Sequence, residues 1–180
     1  MSLTRLSRPN QTWALAYVNA FADPSAPTAA ELNDQRFVHR ISCALTEDGT
    51  ELTMGDSETD DTITFCSIGN ESTPTLYNVT GSLTWLKDAN TGGSGSTVDL
   101  TSLYNLATSL LDYPDIPYWL ISRTGPDASQ DEDFAVGHVI KMARFLTDYP
   151  QDVLEQNGPV RGLQSLVFQG DVAWNIEIAS

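Results

Sequence analysis

The stretch Tyr77-Asn-Val-Thr-Gly-Ser-Leu-Thr-Trp85 decides the fold class, because two kinds of residue alternate along it without interruption. Its odd-numbered positions carry Tyr, Val, Gly, Leu and Trp, whereas its even-numbered positions carry only Asn, Thr and Ser. A period of two residues is typical of a β-strand with one apolar face and one polar face. The pattern therefore predicts a strand that packs one face on a core.

Further strands are predicted on both sides of this stretch. β-prone residues occupy 13–18, 36–45, 62–68 and 116–123, and the last of these is apolar enough to be buried on both faces. Residues 134–146 fit a strand or a helix by periodicity, and Gly137 together with β-branched residues favours the strand. At the end of the chain, 162–168 and 172–178 flank Gln169-Gly-Asp171, which predicts a β-hairpin.

Only one segment predicts a substantial α-helix. Leucines recur at helical spacing from Leu100 to Leu111, Asp99 is a candidate N-cap, and Tyr113-Pro114 ends the pattern. Thr28 and Glu31 have the spacing of a capping box, which predicts one or two further helical turns. We therefore expect one mostly β domain over residues 1–180, with one flanking α-helix and long loops. Residues 1–12 are predicted to be an irregular N-terminal arm.

The charge is strongly one-sided, with 9 Lys and Arg against 24 Asp and Glu and a net charge of −15. This balance disfavours a nucleic-acid-binding surface, which needs Lys and Arg. Residues 46–62 hold seven acidic residues and no basic one, and we expect them to form an acidic loop. The seven are Glu47, Asp48, Glu51, Asp56, Glu58, Asp60 and Asp61.

The residues predict neither an enzyme nor a metal or cofactor site. His39 and His138 both lie in strand-like runs, and Cys43 and Cys66 lack zinc spacing and are expected to be buried thiols. Residues 127–133 alternate oxygen-bearing side chains as a calcium loop does, but the turn glycine and closing Glu are missing. No apolar run approaches the ~20 residues of a membrane helix. The first ten residues lack the apolar core of a signal peptide, so we expect assembly in a reducing cytoplasm.

The order of several short motifs resembles a known family. Residues 65–88 read Phe-Cys-Ser-Ile-Gly-Asn-Glu-Ser-Thr-Pro-Thr-Leu-Tyr-Asn-Val-Thr-Gly-Ser-Leu-Thr-Trp-Leu-Lys-Asp, and Ser25-Ala-Pro-Thr-Ala-Ala-Glu-Leu-Asn33 precedes them. A Leu-rich helix, Asp115-Ile-Pro-Tyr-Trp-Leu-Ile-Ser-Arg123 and Thr147-Asp-Tyr-Pro150 follow in order. This set resembles the major tail (tail tube) proteins of long, non-contractile-tailed bacteriophages over about residues 13–178.

The resemblance implies a β-sandwich or rolled barrel whose subunits form hexameric rings. The rings stack into a tube in the virion tail, and the genome passes through the tube without specific binding. Implied partners are further copies of the chain and other tail proteins such as the tape measure, tail terminator and distal tail proteins. No cofactor and no membrane are implied.

In such a tube we expect the acidic loop to contact basic groups on an adjacent ring and to be mobile in a lone subunit. The candidate basic counterparts are Arg5, Arg8, Arg36, Arg123 and Arg161. The polar face of the strand at 77–85 is a second candidate surface, lining the channel or facing outward.

An alternative interpretation is a stand-alone ligand- or carbohydrate-binding β-sandwich that stacks sugars on Trp85, Trp119 or Trp174. Because Trp85 and Trp174 lie on the apolar faces of their strands, core packing is the better interpretation for both.

Overall fold

The computed structural model describes residues 10–56, 58–60, 73–76, 78–87, 102–125, 132–154 and 158–180, with the backbone alone for 58–60 and 73–76. These residues form ten strands and two α-helices. The strands are β1 (Gln11–Tyr17), β2 (Val38–Arg40), β3 (Glu51–Met54), β4 (Glu58–Asp60), β5 (Thr73–Leu76), β6 (Val79–Leu86), β7 (Pro117–Thr124), β8 (Val139–Thr147), β9 (Gln151–Val153) and β10 (Arg161–Glu177). The helices are α1 (Ala29–Leu32) and α2 (Leu103–Leu111).

The main sheet is antiparallel, with the strand order β2-β1-β7-β8-β10-β6-β3, and β9 also pairs with β10. Strands β4 and β5 pair separately. The segment after β2 joins the two ends of this sheet, because Ile41 N donates to Trp13 O at 2.9 Å and Leu45 bridges Trp85 on β6. The predicted mostly β class is confirmed.

Both faces of the central strands are buried, as the apolar run at 116–123 predicted for β7. On one face Ala16, Trp119 and Met142 pack with residues from α1 and the end of the chain. On the other face Leu15, Leu120 and Phe145 pack with β6 and α2. The sheet thus separates two apolar clusters, and α2 covers the second.

Close packing fixes β6 against β10. Trp85 is fully buried and its Nε1 donates to Thr108 Oγ1 on α2 at 3.1 Å. Gly162 is its cross-strand partner on β10, and a Cβ at Gly162 would lie 2.3 Å from the indole. Only a residue without a side chain lets the strand pass this ring.

The predicted capping box at the start of α1 is confirmed. Thr28 Oγ1 accepts from Glu31 N at 3.3 Å, and Glu31 Oε2 accepts from Thr28 N at 2.9 Å. Glu31 Oε1 also accepts from Ala22 N, and these backbone donors, first Ala22 and then Thr28, lower the pKa of the carboxyl. For α2 the cap differs from the expectation: Ser102 occupies the N-cap position, and Asp99 lies outside the described residues.

The predicted C-terminal hairpin is wrong. Residues 161–177 form one continuous strand of 17 residues. The first predicted arm pairs with β6, β9 and, from Leu166, β8, and the second arm pairs with β8, so the arms do not pair with each other. Phe168 is opposite Phe145 and Val172 is opposite Ala143, so Gln169-Gly-Asp171 forms a bulge. The turn residues bend the strand without reversing it.

Several boundaries also differ from the sequence prediction. Gln11 and Thr12 belong to β1, so the irregular arm does not extend to residue 12. The strand predicted at 36–45 is limited to β2 and is followed by a 3-10 turn at Ser42–Ala44. The strand predicted at 134–146 begins only at Val139, because His138 N donates to Ala135 O in a turn. The strand predicted at 62–68 lies outside the described residues.

Candidate assembly surface

Side chains on the polar face of β6 form hydrogen bonds with the acidic segment. Ser82 Oγ and Thr84 Oγ1 both donate to Gly49 O, at 2.8 and 3.2 Å. Asn78 Nδ2 donates to Asp56 O at 2.9 Å, and the hydroxyl of Thr80 lies 3.0 Å from that of Thr53. The hydroxyl and amide groups that mark this face in the sequence therefore bind residues 49–56, through backbone carbonyls of Gly49 and Asp56 and the hydroxyl of Thr53.

The acidic segment is not the single loop that its charge predicted. Residues 51–54 form β3, which pairs with β6 in register from Glu51↔Ser82 to Met54↔Val79. Residues 58–60 form β4, which pairs with β5. The expectation of a loop is wrong for these residues, because hydrogen bonds to β6 in the case of β3, and to β5 in the case of β4, compensate for the missing apolar face.

The described acidic side chains of this segment are exposed to solvent. They are Glu47, Asp48, Glu51 and Asp56. The side chains of Glu58 and Asp60, and all of Asp61, lie outside the described part. We call the four exposed residues the acidic edge, since they lie on β3 and on the residues just before and after it, at the end of the main sheet.

The basic candidates are scattered, and the structure does not bring them to the acidic edge as a group. Arg36 is exposed and binds Asp34 of its own subunit, with Nε 2.9 Å from Oδ1. These hydrogen bonds lower the pKa of Asp34 to about 2. Arg123 is only 5% exposed, and its Nη2 lies 3.2 Å from His138 Nε2. Arg161 opens β10 and is half-buried, whereas Arg5 and Arg8 lie outside the described residues.

Four other basic side chains were not singled out from the sequence, and each is engaged within the subunit. Arg40 pairs with Asp133, Arg144 Nη1 lies 2.9 Å from Asp171, and Lys141 Nζ lies 4.9 Å from the ring centroid of Trp174. The partners are far apart in the chain, so no local motif marks them.

Lys87 is the fourth of these side chains, and it bridges two carboxylates. Its Nζ lies 2.9 Å from Asp112 and 2.7 Å from Asp152. Burial opposes its charge, but the hydrogen bonds to Asp152 and Asp112 outweigh burial and raise the pKa of Lys87 above its usual value.

A groove runs beside the acidic edge. Its volume is about 490 Å³, and its walls combine carboxylates with apolar and hydroxyl side chains. Those that matter for charge and packing are Trp13, Leu45, Glu47, Glu51 and Leu52. The groove is suited to a segment that carries both positive charge and apolar groups.

The other singled-out residues assemble no chemical site in the described part of the chain. His39 is half-buried on β2, and burial lowers its pKa. His138 Nδ1 accepts from Ala135 N at 3.0 Å in the turn before β8. Cys43 is exposed, so its predicted burial is wrong, and Cys66 lies outside the described residues. Over the described ranges, no three His, Cys, Asp or Glu residues are grouped to hold a metal ion.

The indoles proposed as sugar platforms are not available for stacking. Trp85 is 0% and Trp119 is 4% exposed, and Trp174 is half-buried beneath Lys141. Within the described ranges, no helix is long and apolar enough to cross a membrane.

Comparison with known proteins identifies the family. A family model described as "Phage tail tube protein" matches residues 1–180, the whole of the chain. The chain therefore belongs to the phage tail tube protein family, and it is a structural component of the virion tail that assembles with itself and other tail proteins into a tube. No curated protein matches the chain.

Proposed function

We propose that this chain is the subunit of stacked hexameric rings that form the tail tube, the conduit for genome delivery. It performs no catalysis, and the genome passes the lumen without specific binding. The tape measure, tail terminator and distal tail proteins are its partners, and assembly takes place in the host cytoplasm. The match of the whole chain to the tail tube family supports this proposal.

The observation that carries the proposal is an open strand edge. From Leu166 to Glu177, β10 pairs with β8 on one side, and no other described strand pairs with it on the opposite side. Apolar side chains along this half are only partly covered, and Val167 is 46% exposed. An unpaired edge of this kind is a template for a strand from another chain. In a ring, the neighbouring subunit supplies that strand.

A lysine on this edge tests the proposal. We expect Val167→Lys to leave the free energy of unfolding within about 0.5 kcal/mol of wild type, because the side chain is exposed. The same variant forms no tubes, since a charge on the edge blocks strand addition. Urea unfolding and negative-stain electron microscopy measure the two effects.

Val160→Lys is the matched control. Val160 is the same residue type and is 43% exposed, but it precedes the half of β10 that β6 and β9 flank. We expect this variant to form normal tubes. Normal tubes from Val167→Lys would show that subunits do not join at this edge.

We further propose that the acidic edge contacts Arg5 and Arg8 of a subunit in the adjacent ring. Arg36, Arg123 and Arg161 are each engaged inside their own subunit, which leaves the N-terminal segment as the better counterpart. Residues 1–9 read Met-Ser-Leu-Thr-Arg-Leu-Ser-Arg-Pro, with two leucines, two arginines and no acidic residue. This composition complements the carboxylates and apolar walls of the groove.

Charge reversal tests this contact better than deletion of the acidic segment, because deletion would remove β3 from the sheet. Asp48→Lys is expected to lower the yield of tubes about tenfold, while Asp148→Lys, an equal charge change elsewhere on the surface, leaves it unchanged. Adding one compensating reversal, Arg5→Glu or Arg8→Glu, to Asp48→Lys is a one-for-one charge swap and restores part of the yield. The contact is also expected to weaken in 1 M salt, where the Debye length is about 3 Å. Failure of both combined variants to recover would place the contact elsewhere.

A further inference from the structure

The groove beside the acidic edge lies where the described chain begins. Asn10 O accepts from Gly125 N at 3.1 Å, so the chain is fixed to the end of β7 at this point. The next residue, Gln11, opens β1 and lines the groove. Residues 1–9 lie outside the described part of the chain, but they are joined to the subunit at this position. The groove is therefore next to the N-terminal segment of its own subunit.

The tether between this segment and the groove is short. An extended chain spans at most ~3.6 Å per residue, so Arg8 lies within about 7 Å of Asn10 and Arg5 within about 18 Å. A short tether holds a segment near its binding site at an effective concentration in about the millimolar range. The same segment of another subunit reaches a comparable concentration only after the two subunits have joined.

Residues 3–8 contain a three-residue repeat, Leu3-Thr-Arg5 followed by Leu6-Ser-Arg8. Pro9 disfavours the helical conformation at the residue before it and favours an extended one. The extended polyproline II form has three residues per turn. In that form the repeat places the two leucines on one face, the two arginines on a second face and the two hydroxyl residues on the third.

The groove offers surfaces that complement the first two faces. Glu47 and Glu51 contribute two exposed carboxylates to its lining. Trp13, Leu45 and Leu52 are half-buried, pack against the apolar cluster beneath α2 and also line the groove. The volume of about 490 Å³ is within the range of about 300–1,000 Å³ that is typical of ligand sites, so several side chains fit. One segment with leucines and arginines thus satisfies both parts of the lining.

We infer that, in an unassembled subunit, this groove binds residues 3–8 of the same chain, and that the segment moves to the groove of an adjacent-ring subunit during assembly. The subunit's own segment is the first occupant because it is tethered beside the groove and complements its charge. Exchange of an identical element between copies is a low-cost way to join them. The bound segment also keeps free subunits from joining one another. This inference rests on the proposed function.

The indole N–H of Trp13 reports whether the groove is occupied. The chain has four Trp residues, so ¹⁵N-Trp labelling yields four indole signals that single Trp→Phe variants assign. In unassembled subunits, Leu3→Ser with Leu6→Ser is expected to shift the Trp13 signal away from its wild-type position. Thr4→Ala with Ser7→Ala is the matched control, because it changes the third face of the repeat, and it is expected to leave the signal in place. An unchanged Trp85 signal shows that each variant is folded, since Trp85 Nε1 is bonded inside the subunit.

Dilution separates the subunit's own segment from that of another copy. The Trp13 signal of wild type is expected to stay in place on about tenfold dilution, because the occupancy of a tethered segment does not depend on subunit concentration.

A synthetic peptide of residues 1–9 measures how firmly the groove is held. The Trp13 signal follows its binding to unassembled subunits. The peptide is expected to bind Leu3→Ser with Leu6→Ser at a concentration about tenfold lower than wild type, because in wild type it must displace the tethered segment. A peptide with both arginines replaced by glutamate is the control and is expected to bind neither protein.

The outcomes separate this inference from the proposed function. If the peptide binds wild type and the double Leu→Ser variant equally well, the groove is empty in the free subunit. The inference then fails, and the proposed function stands as long as wild type forms tubes. A Trp13 signal that moves on dilution means that another copy fills the groove, which also overturns the inference. If wild type forms no tubes, the proposed function fails and the exchange fails with it, whereas the peptide measurement still decides the occupant of the free subunit.

Discussion

The two halves of β10 differ in how fully the subunit itself uses them. From Arg161 to Ser165 the strand pairs with β6, residues 161–163 also pair with β9, and Gly162 and Gln164 are buried. From Leu166 to Glu177 it pairs with β8, no other strand of the described residues pairs with it, and it contains the bulge. The first half of β10 therefore belongs to the interior of the fold, whereas the second half is a surface for other molecules. Three predictions test this division.

The largest effect is expected from adding one methyl group to a glycine in each half. Gly162→Ala would place its Cβ 2.3 Å from the fully buried Trp85 ring, so we expect a loss of about 3 kcal/mol in the free energy of unfolding. Gly170→Ala meets no atom within 4 Å and incurs only the backbone strain of φ +85°, about 1 kcal/mol. Urea unfolding measures both variants. Equal losses would mean that the first half is no more tightly packed than the second.

A smaller difference in the free energy of unfolding is expected between Ala substitutions of two glutamines, one in each half of β10. Gln164 is 0% exposed, and its Nε2 donates to Asp148 O at 2.8 Å and to Ser165 O at 3.0 Å. Gln164→Ala removes both hydrogen bonds and leaves a gap at a fully buried position, so we expect a loss of about 2 kcal/mol. Gln169 is exposed in the bulge, and Gln169→Ala is expected to change stability by less than about 0.5 kcal/mol. Chemical unfolding of the two variants in parallel decides between these values.

The smallest effect on the free energy of unfolding is expected only at high pH. It concerns the part of the sheet that pairs with the second half of β10. Tyr118, Phe145 and Phe168 are successive cross-strand partners on β7, β8 and β10. Burial, and to a lesser degree the neighbouring Tyr17, raises the pKa of Tyr118 from 10.0 to about 12. Because the folded state resists ionisation, the stability that neutral Tyr118 contributes is complete below pH 10 and is lost as the pH rises toward 12.

We therefore expect wild type to lose about 1 kcal/mol more than Tyr118→Phe between about pH 9 and about pH 10.7. Unfolding curves of the two proteins at both pH values measure the difference. Parallel pH profiles would show that Tyr118 reaches solvent when folded, and hence that this part of the sheet is loosely covered.

The sequence predicted those parts of the fold in which local pattern and burial agree. The alternation at 77–85 identified β6, the capping box at Thr28 identified α1, and the apolar run at 116–123 identified a strand buried on both faces. The error at Gln169-Gly-Asp171 has a physical cause. A glycine with positive φ is compatible with both a reversing turn and a bulge, and only the position of β8 selects the bulge.

The candidate surface was predictable in charge but not in structure. The composition of residues 46–62 showed that these residues are acidic, and the described ones are exposed. Their attachment to β6 depends on Ser82 and Thr84, more than thirty residues away from the Gly49 carbonyl they bind. The sequence also could not predict that the indole N–H of Trp119 is buried and has no hydrogen-bond partner among the described residues. The position of this group depends on the register of β1, β7 and β8.

The continuity of β10 has a mechanical consequence. A pull along this strand acts parallel to its axis, and its hydrogen bonds to β6, β9 and β8 lie across that axis. Such a pull shears many bonds together, whereas a true hairpin at Gln169-Gly-Asp171 would let them peel apart one after another. A bulge in place of a turn thus makes the subunit stiff in the direction of its longest strand.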